Sequence, residues 1–526
     1  MIEGNAKLAR RTQPQRQAQP PGKGRFSTNL LANILNFGCN IGIGLWFTPY
    51  MISHLGVAGY GLIPLATTIT SYMGLFTIAL NGAVGRYLTI AIERKDTEYA
   101  NAIFNTSLIG NSIVVCILLL PAIWLSSKMQ FFFNVPTGYE HQFSLLFKCT
   151  TGMFLLTTLG TAFSLASFCR NRFDLSNAVS IVNSIIRVGV VVLLFTYSVP
   201  RVWHVGAGLL FAALFSLIAS IAIWRYLTPM LHIQPATFNS GILRQLFGTG
   251  GWMIVNQIGT ILYLSIDLVV VNRLIGADAA GRYGAIMQWS LLLRGLAGVI
   301  AAVFAPTILA LYACKDMSGL VRYSKQAVKF VGLLIALPIG VICGLSRPLL
   351  HLWLGPKFEP LAPLMSLMTI HLCVNLGIMP LFNISTATNN VRWPGIVTCI
   401  MGVANVCLAI LLAGPVGWGM YGVAAAGAIM LTAKNLVFTP LYGAHILGIK
   451  HGAFFSETIP IITATIGLSC LGWLMGRMSF VQSWNGLIFA TMGLSITYVC
   501  AAWLLLLTTQ ERSTVLRMLS RSRTPE

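Results

Sequence analysis

Apolar runs of about twenty residues follow one another along the chain from residue 28 to residue 508, separated by short polar turns. A helix rises 1.5 Å per residue, so about 20 apolar residues cross roughly 30 Å of hydrocarbon. The pattern predicts fourteen crossings: 28–53, 60–83, 99–126, 143–168, 175–199, 204–228, 246–271, 282–306, 326–346, 360–386, 394–414, 419–446, 456–476 and 484–508. The uncharged stretch from Trp393 to Ala433 is too long for one helix, and Gly414-Pro415 with Gly417 divides it in two.

Polar residues recur on some of these crossings at spacings of three and four, which places them on one helix face. The first carries Asn29, Asn33, Asn36 and Asn40. The second carries Thr70, Gly74, Thr77 and Asn81, and the fifth Asn177, Ser180, Ser184 and Arg187 with Asn183 beside them. The seventh carries Asn256, Thr260, Tyr263 and Asp267. Such stripes make either interhelical hydrogen bonds, worth about 0.6 kcal/mol each, or the wall of a shared wet lumen. Four stripes together favour the lumen.

The chain also repeats itself. Residues 55–61 read LGVAGYG and residues 275–284 read IGADAAGRYG, each at the turn after an odd-numbered crossing. Aligning Gly56 with Gly276 also aligns Asn36 with Asn256. Six crossings per repeat is an even number, so both copies enter the membrane in one orientation. The predicted fold is an all-α polytopic membrane protein of about 14 transmembrane helices, with two six-helix lobes around a central lumen plus two C-terminal helices. The segments are a disordered basic tail (1–26), an N-lobe (27–229), a C-lobe (230–448), the last two crossings (449–510) and a second basic tail (511–526).

Composition agrees with a chain surrounded by lipid. Hydrophobic residues make up 56% and charged residues 9%, against about 25% charged in soluble domains, and the mean hydropathy is +0.77. The formal charge is +21. With the N-terminus in the cytoplasm, 23 of the 34 Lys and Arg fall on the inner side and 8 on the outer side, which orients both termini inward. The positive charge is therefore a topology signal plus attraction to anionic lipid, and no soluble module exists to bind nucleic acid. The 11 Cys form no CxxC pair and read as packing residues, so neither a metal site nor a cofactor is expected. No P-loop ATPase signature is present.

Three basic residues lie inside crossings: Arg187, Arg294 and Lys434. Each costs about 2.5–3.5 kcal/mol near a bilayer centre, so each is expected to face water or an anionic ligand. Facing inward together, they would line one cationic cavity. Asp267 is the one acid deep in a crossing. Either it pairs with Arg187 or Arg294, or it titrates or binds sodium to bias the two lobes. Arg86 ends the second crossing and serves either as a topology anchor or as a contact for an anionic head group.

The opening hairpin, residues 50–66 (YMISHLGVAGYGLIPLA), followed by Gly85-Arg86-Tyr87, resembles the start of bacterial polysaccharide flippases of the multidrug/oligosaccharidyl-lipid/polysaccharide exporter superfamily. Asp267 leading into Leu274-Ile275-Gly276 and Tyr283 is similar to that family's second lobe, as are LWLG at 352–355 and YGVA at 421–424. The resemblance extends over roughly residues 28–446. It implies a transporter, not an enzyme. That transporter moves a polyprenyl-pyrophosphate-linked oligosaccharide across the bacterial inner membrane by alternating access, for cell-surface or exopolysaccharide synthesis. Arg187, Arg294, Lys434, Arg86, Asn36, Asn40 and Asn256 would contact the anionic cargo, and Asp267 would couple to H+ or Na+. The partners it implies are membrane lipids, a polysaccharide polymerase and glycosyltransferases. A lipid II flippase or multidrug exporter of the same fold is the alternative, and a membrane polysaccharide polymerase or acyltransferase is the alternative of another class.

Overall fold

The computed structural model describes residues 23–509, 511 and 512. Described residues form helices and turns, with no strand among them. Twelve helices are long and apolar enough to cross a membrane, and a bent pair brings the number to 13. The longest apolar helix, Lys23–Met73, contains Gly56 at φ 71° and ψ 168°, a left-handed-side conformation that splits it in two and gives fourteen crossings. These are α1 (23–55), α2 (57–93, interrupted at Gly74), α3 (Thr97–Phe132), α4 (Glu140–Cys169), α5 (Phe173–Tyr197) and α6 (Val202–Leu227). Then come α7 (240–274, bent by 41° at Ser265), α8 (Ala277–Ala313), α9 (Met317–Gly344), α10 (356–387), α11 (Arg392–Ala413), α12 (Gly419–Ile446), α13 (Phe455–Met475) and α14 (Trp484–Leu506).

Interhelical hydrogen bonds fix the direction of each crossing. Asn29 at the start of α1 donates to the Asn171 carbonyl at 3.2 Å, while Tyr50 stacks on Phe195 at the other end of α5. Thr89, late in α2, then reaches Cys169 at 3.3 Å, back beside Asn171. The chain therefore reverses at Gly56. We call the end with Asn29 the near face and the opposite end the far face.

The turns show the duplication in backbone form. Left-handed residues recur about 220 positions apart: Gly56 with Gly276, Lys95 with Lys315, Gly138 with Gly355, and Asn171 with Asn389. After Lys95 and Lys315 an aspartate caps the next helix. Asp96 accepts from the Tyr99 N–H at 3.0 Å and Asp316 from the Gly319 N–H at 2.8 Å. Non-glycine residues with positive φ are uncommon, so their coincidence at equivalent turns reflects one inherited path.

Several expected boundaries differ. Helix α1 begins at Lys23, inside the expected 1–26 tail, whose first 22 residues lie outside the described ones. Glu511 belongs to the expected second tail, yet it folds back and pairs with Lys329 of α9 at 2.8 Å; residues 513–526 lie outside the described ones. Helix α10 is a series of short α and 3-10 segments, broken around Gly377 and Pro380, because proline has no N–H to continue the ladder. Helix α12 carries a π segment, Ala433–Phe438, that ends two residues before Pro440. The proline ring excludes the usual bond to the carbonyl four residues back, and the ladder shifts by one.

The two sixfold sets meet along α1, α2, α7 and α8. At the far face the α2–α8 crossing is a backbone contact: a Cβ on Gly61 would lie 2.6 Å from the Gly281 nitrogen, and one on Gly281 only 2.0 Å from the Val57 oxygen. At the near face Val84 and Leu88 of α2 share a core with Ile242 and Leu246 of α7. Helix α13 lies on a glycine stripe of α9, with Gly332 under Ile461, Gly340 under Leu468 and Gly344 against Gly472. Gly281→Leu should therefore cost at least about 1–3 kcal/mol and lower the unfolding temperature in detergent by a few degrees. Gly298→Leu, which meets open space, should leave it unchanged; equal melting of both variants would contradict this crossing.

Candidate functional site

The bend at Ser265 places Asp267 in the first turn of a new helix segment, where a carboxylate complements the exposed N–H groups. Asn405 of α11 fills the break: its amide donates to the Leu262 carbonyl at 3.1 Å and to Asp267 Oδ1 at 3.2 Å. The Tyr283 hydroxyl of α8 donates to Oδ2 at 3.1 Å. Asp267 forms no ion pair among the described residues, so of its two expected roles the pairing with Arg187 or Arg294 is absent there. Arg294 nevertheless lines the same small cavity of about 40 Å³, together with Tyr263, Ser290 and His371. That space admits water-sized guests and is far too small for a sugar.

Next to it, toward the near face, lies a cavity of about 450 Å³ between α7, α10, α11 and α12. Lys434 projects into it from the π segment and is 7% exposed. Its ammonium sits 5.3 Å from the Tyr263 ring and 5.4 Å from the Phe382 ring. It makes no salt bridge among the described residues. Two cation–π contacts, each worth about 0.5–2 kcal/mol, offset only part of a desolvation penalty of several kcal/mol per buried ion. The remaining lining suits a hydroxyl-rich guest, with amides on Asn256 and Gln257, hydroxyls on Thr260, Ser385 and Thr398, and a Phe438–Tyr442 stack at 5.2 Å. Tyr263 lines both cavities and separates them.

The other expected site residues are elsewhere. The α1 stripe closes on the α5 stripe: Asn36 donates to Asn177 at 3.0 Å, Asn177 donates to Asn33 at 2.8 Å, and Ser184 donates to Asn40 at 3.0 Å. These five side chains pair with one another across the α1–α5 seam, where the expectation was a wet lumen, while Ser180 and Asn183 of the α5 stripe line a separate cavity of about 280 Å³ with Ser176, Ser216 and Ser220. Arg187, one turn beyond Ser184, is half-buried with its Nε unpartnered, and it lines neither cavity. Arg86 is exposed at the near end of α2. The Asn81 side chain lies outside the described residues. Among the described residues, the cavities around Asp267 and Lys434 do not bring the three buried cations together. Lys434 and Asn256 share one space, Arg294 and Asp267 share another, and Arg187, Arg86, Asn36 and Asn40 belong to neither.

Sequence reasoning passed over Phe382, Ser385 and Tyr442, which complete the larger cavity. Their signal was the interruption of α10 near Pro380, which turns Phe382 and Ser385 toward α12. Among the described residues no group of three His, Cys, Asp or Glu side chains is placed to hold a metal.

Comparison with known proteins places this geometry. Residues 27–311 match the family described as "Polysaccharide biosynthesis protein". The "Uncharacterized membrane protein EpsK" of Bacillus subtilis (strain 168) is 36% identical over 94% of this chain and 98% of its own length. The "Putative O-antigen transporter" of Shigella flexneri is 25% identical over 63% of this chain and 77% of its own. In fold, the lipid II flippase MurJ in an inward closed conformation superposes with a TM-score of 0.65 at 17% identity, covering 90% of this chain and 99% of MurJ. An inward-facing multidrug resistance transporter of the MATE family gives 0.58 at 15% identity, over 80% and 98%. The chain is a multi-pass membrane protein that belongs to the polysaccharide biosynthesis protein family.

Proposed function

We infer that this chain is a flippase for a lipid-linked, anionic oligosaccharide. The observation that carries the reading is Lys434: a buried ammonium without a carboxylate partner among the described residues, in a cavity of about 450 Å³ lined by hydroxyls, amides and aromatic faces. A pyrophosphate supplies the missing counter-charge. The hydroxyls and amides replace water on the sugar, whose transfer through hydrocarbon would otherwise cost several kcal/mol per polar group. The lipid tail stays in the bilayer.

The excess of Lys and Arg at the near face supports a cytoplasmic orientation of that face, and of both termini, in a bacterial inner membrane. The larger cavity then belongs to the cytoplasmic half, where the cargo is made by glycosyltransferases, and the tight α2–α8 crossing closes the outer side. Alternating access requires that crossing to open while the near-face contact between α2 and α7 tightens. Asp267, with Arg294 close by in a water-sized cavity, is the proposed coupling site for H+ or Na+. The membrane potential adds about 2.3 kcal/mol per uncompensated negative charge per 100 mV as the cargo moves outward. No bond is made or broken, and the product passes to a polymerase.

Complementation tests the reading. Deleting the gene should remove a secreted or surface polysaccharide, and the wild-type gene should restore it. Lys434→Ala should restore less than a tenth while reaching the membrane normally, and Lys434→Arg should recover part of the loss. Full export by Lys434→Ala would remove Lys434 from the site.

A stability measurement separates binding from architecture. Because Lys434 has no anionic partner among the described residues, Lys434→Met should raise stability of the purified protein by about 1–3 kcal/mol. A lower unfolding temperature would mean that the ammonium has a structural role.

Asp267→Asn keeps the hydrogen-bonding shape without the charge. It should slow export severalfold and make what remains insensitive to collapse of the proton or sodium gradient. Unchanged gradient dependence would exclude Asp267 as the coupling group.

A further inference from the structure

A second charged space lies at the far face, away from the cavities just described. It has a volume of about 600 Å³ and lies between the far ends of α9 and α13 and the start of α10. Its origin is the packing of α13 on α9. The two helices touch backbone to backbone at Gly344 and Gly472, where a Cβ on Gly344 would come within 2.7 Å of the Gly472 Cα. Beyond that contact the chains diverge, into Ser346-Arg347 on one side and Gly476-Arg477 on the other, and the cleft opens between them.

Two guanidinium groups face this cleft. Arg477 stacks on Trp473 with its central carbon 3.6 Å from the ring, and it has no carboxylate partner among the described residues. Stacking holds the planar fork in place while leaving its N–H edges free. Arg347, 76% exposed, donates through Nε to Glu359 at 2.5 Å, and its terminal nitrogens have no protein partner among the described residues. Glu359, the one acid in the lining, is also met by His351 at 3.1 Å, so its charge is already shared. The Ser346 and Ser366 hydroxyls complete the polar surface.

The mouth of the cleft lies at the level of lipid head groups. Trp473 (52% exposed), Phe480 (48%) and Trp484 (50%) present their rings around the α13–α14 turn, the placement of aromatic residues at a membrane–water boundary. An exposed, open cleft with two free guanidinium edges at that depth fits a phosphate ester in a lipid head group, because the fork geometry matches paired phosphate oxygens.

We propose that the cleft between Arg347 and Arg477 binds the phosphate head of a membrane lipid, at a site separate from the Lys434 cavity. The same chemistry is offered by an anionic phospholipid and by a polyprenyl phosphate. The test uses full-length protein in detergent, with lipid binding followed by native mass spectrometry and by thermal shift. Phosphatidylglycerol and polyprenyl monophosphate are compared with phosphatidylcholine and inorganic phosphate.

Phosphatidylglycerol, polyprenyl monophosphate or both should bind at least tenfold more tightly than phosphatidylcholine. Which of the two anionic lipids binds more tightly identifies the source. The double variant Arg347→Gln/Arg477→Gln should lose that preference. The single variant Arg477→Gln, which leaves the Arg347–Glu359 pair intact, should lose at least threefold. Lys434→Met should retain wild-type binding here whatever its effect on export, so failure of this proposal and failure of the flippase reading are distinguishable. Equal binding of phosphatidylcholine, undiminished binding by the double variant, or an equal effect of inorganic phosphate alone would overturn the lipid site.

Discussion

A charge held in hydrocarbon needs a partner, and the interior of this protein is organised by how each buried cation meets that requirement. Lys329 is satisfied within the chain by Glu511. Lys434 forms no ion pair among the described residues, where two aromatic rings compensate it. The penalty for burying an ion exceeds what two rings return, so the cavity around Lys434 is complementary to something the protein alone lacks. The geometry around it follows. Pro440 shifts the α12 ladder into a π segment, the break in α10 brings Phe382 and Ser385 into the wall, and Tyr263 closes the space from α7.

The same reasoning separates the two polar centres of the second sixfold set. Asp267 is held by Tyr283 and Asn405, with Arg294 nearby across a space that fits water. A sugar does not fit there, while a proton or a small cation does. The larger cavity, about 450 Å³, has room for the head group proposed for it. Tyr263 belongs to both linings, so a shift of its ring on one side alters the wall of the other. The proposed coupling between ion and cargo therefore needs no long pathway, only two arrangements of α7 about its bend at Ser265.

Much of the fold was legible in the sequence because lipid imposes a strong rule: crossings must be apolar, about twenty residues long and internally hydrogen-bonded. The Gly56 and Gly276 turns were readable for a similar reason, since the reversal requires a positive φ. The separation of the three buried cations was not legible. Helical spacing tells which residues share a face, and it does not tell which neighbour that face meets. The asparagines of α1 and the polar residues of α5 form equally regular stripes, and their amides turned out to satisfy each other. The asparagine of α7 aligned with Asn36, Asn256, kept open space because the facing α10 is broken. Single-turn irregularities, such as the π segment beneath Lys434, leave little trace in periodicity beyond the proline that causes them.

The most direct test of the account is a structure of the protein bound to a polyprenyl-pyrophosphate-linked oligosaccharide in a lipid nanodisc. The account predicts pyrophosphate oxygens within ion-pair distance of the Lys434 ammonium, with the first sugar against Tyr442 and the hydroxyls of α7 and α10. Pyrophosphate bound elsewhere in the passage, with Lys434 still facing only Tyr263 and Phe382, would contradict it.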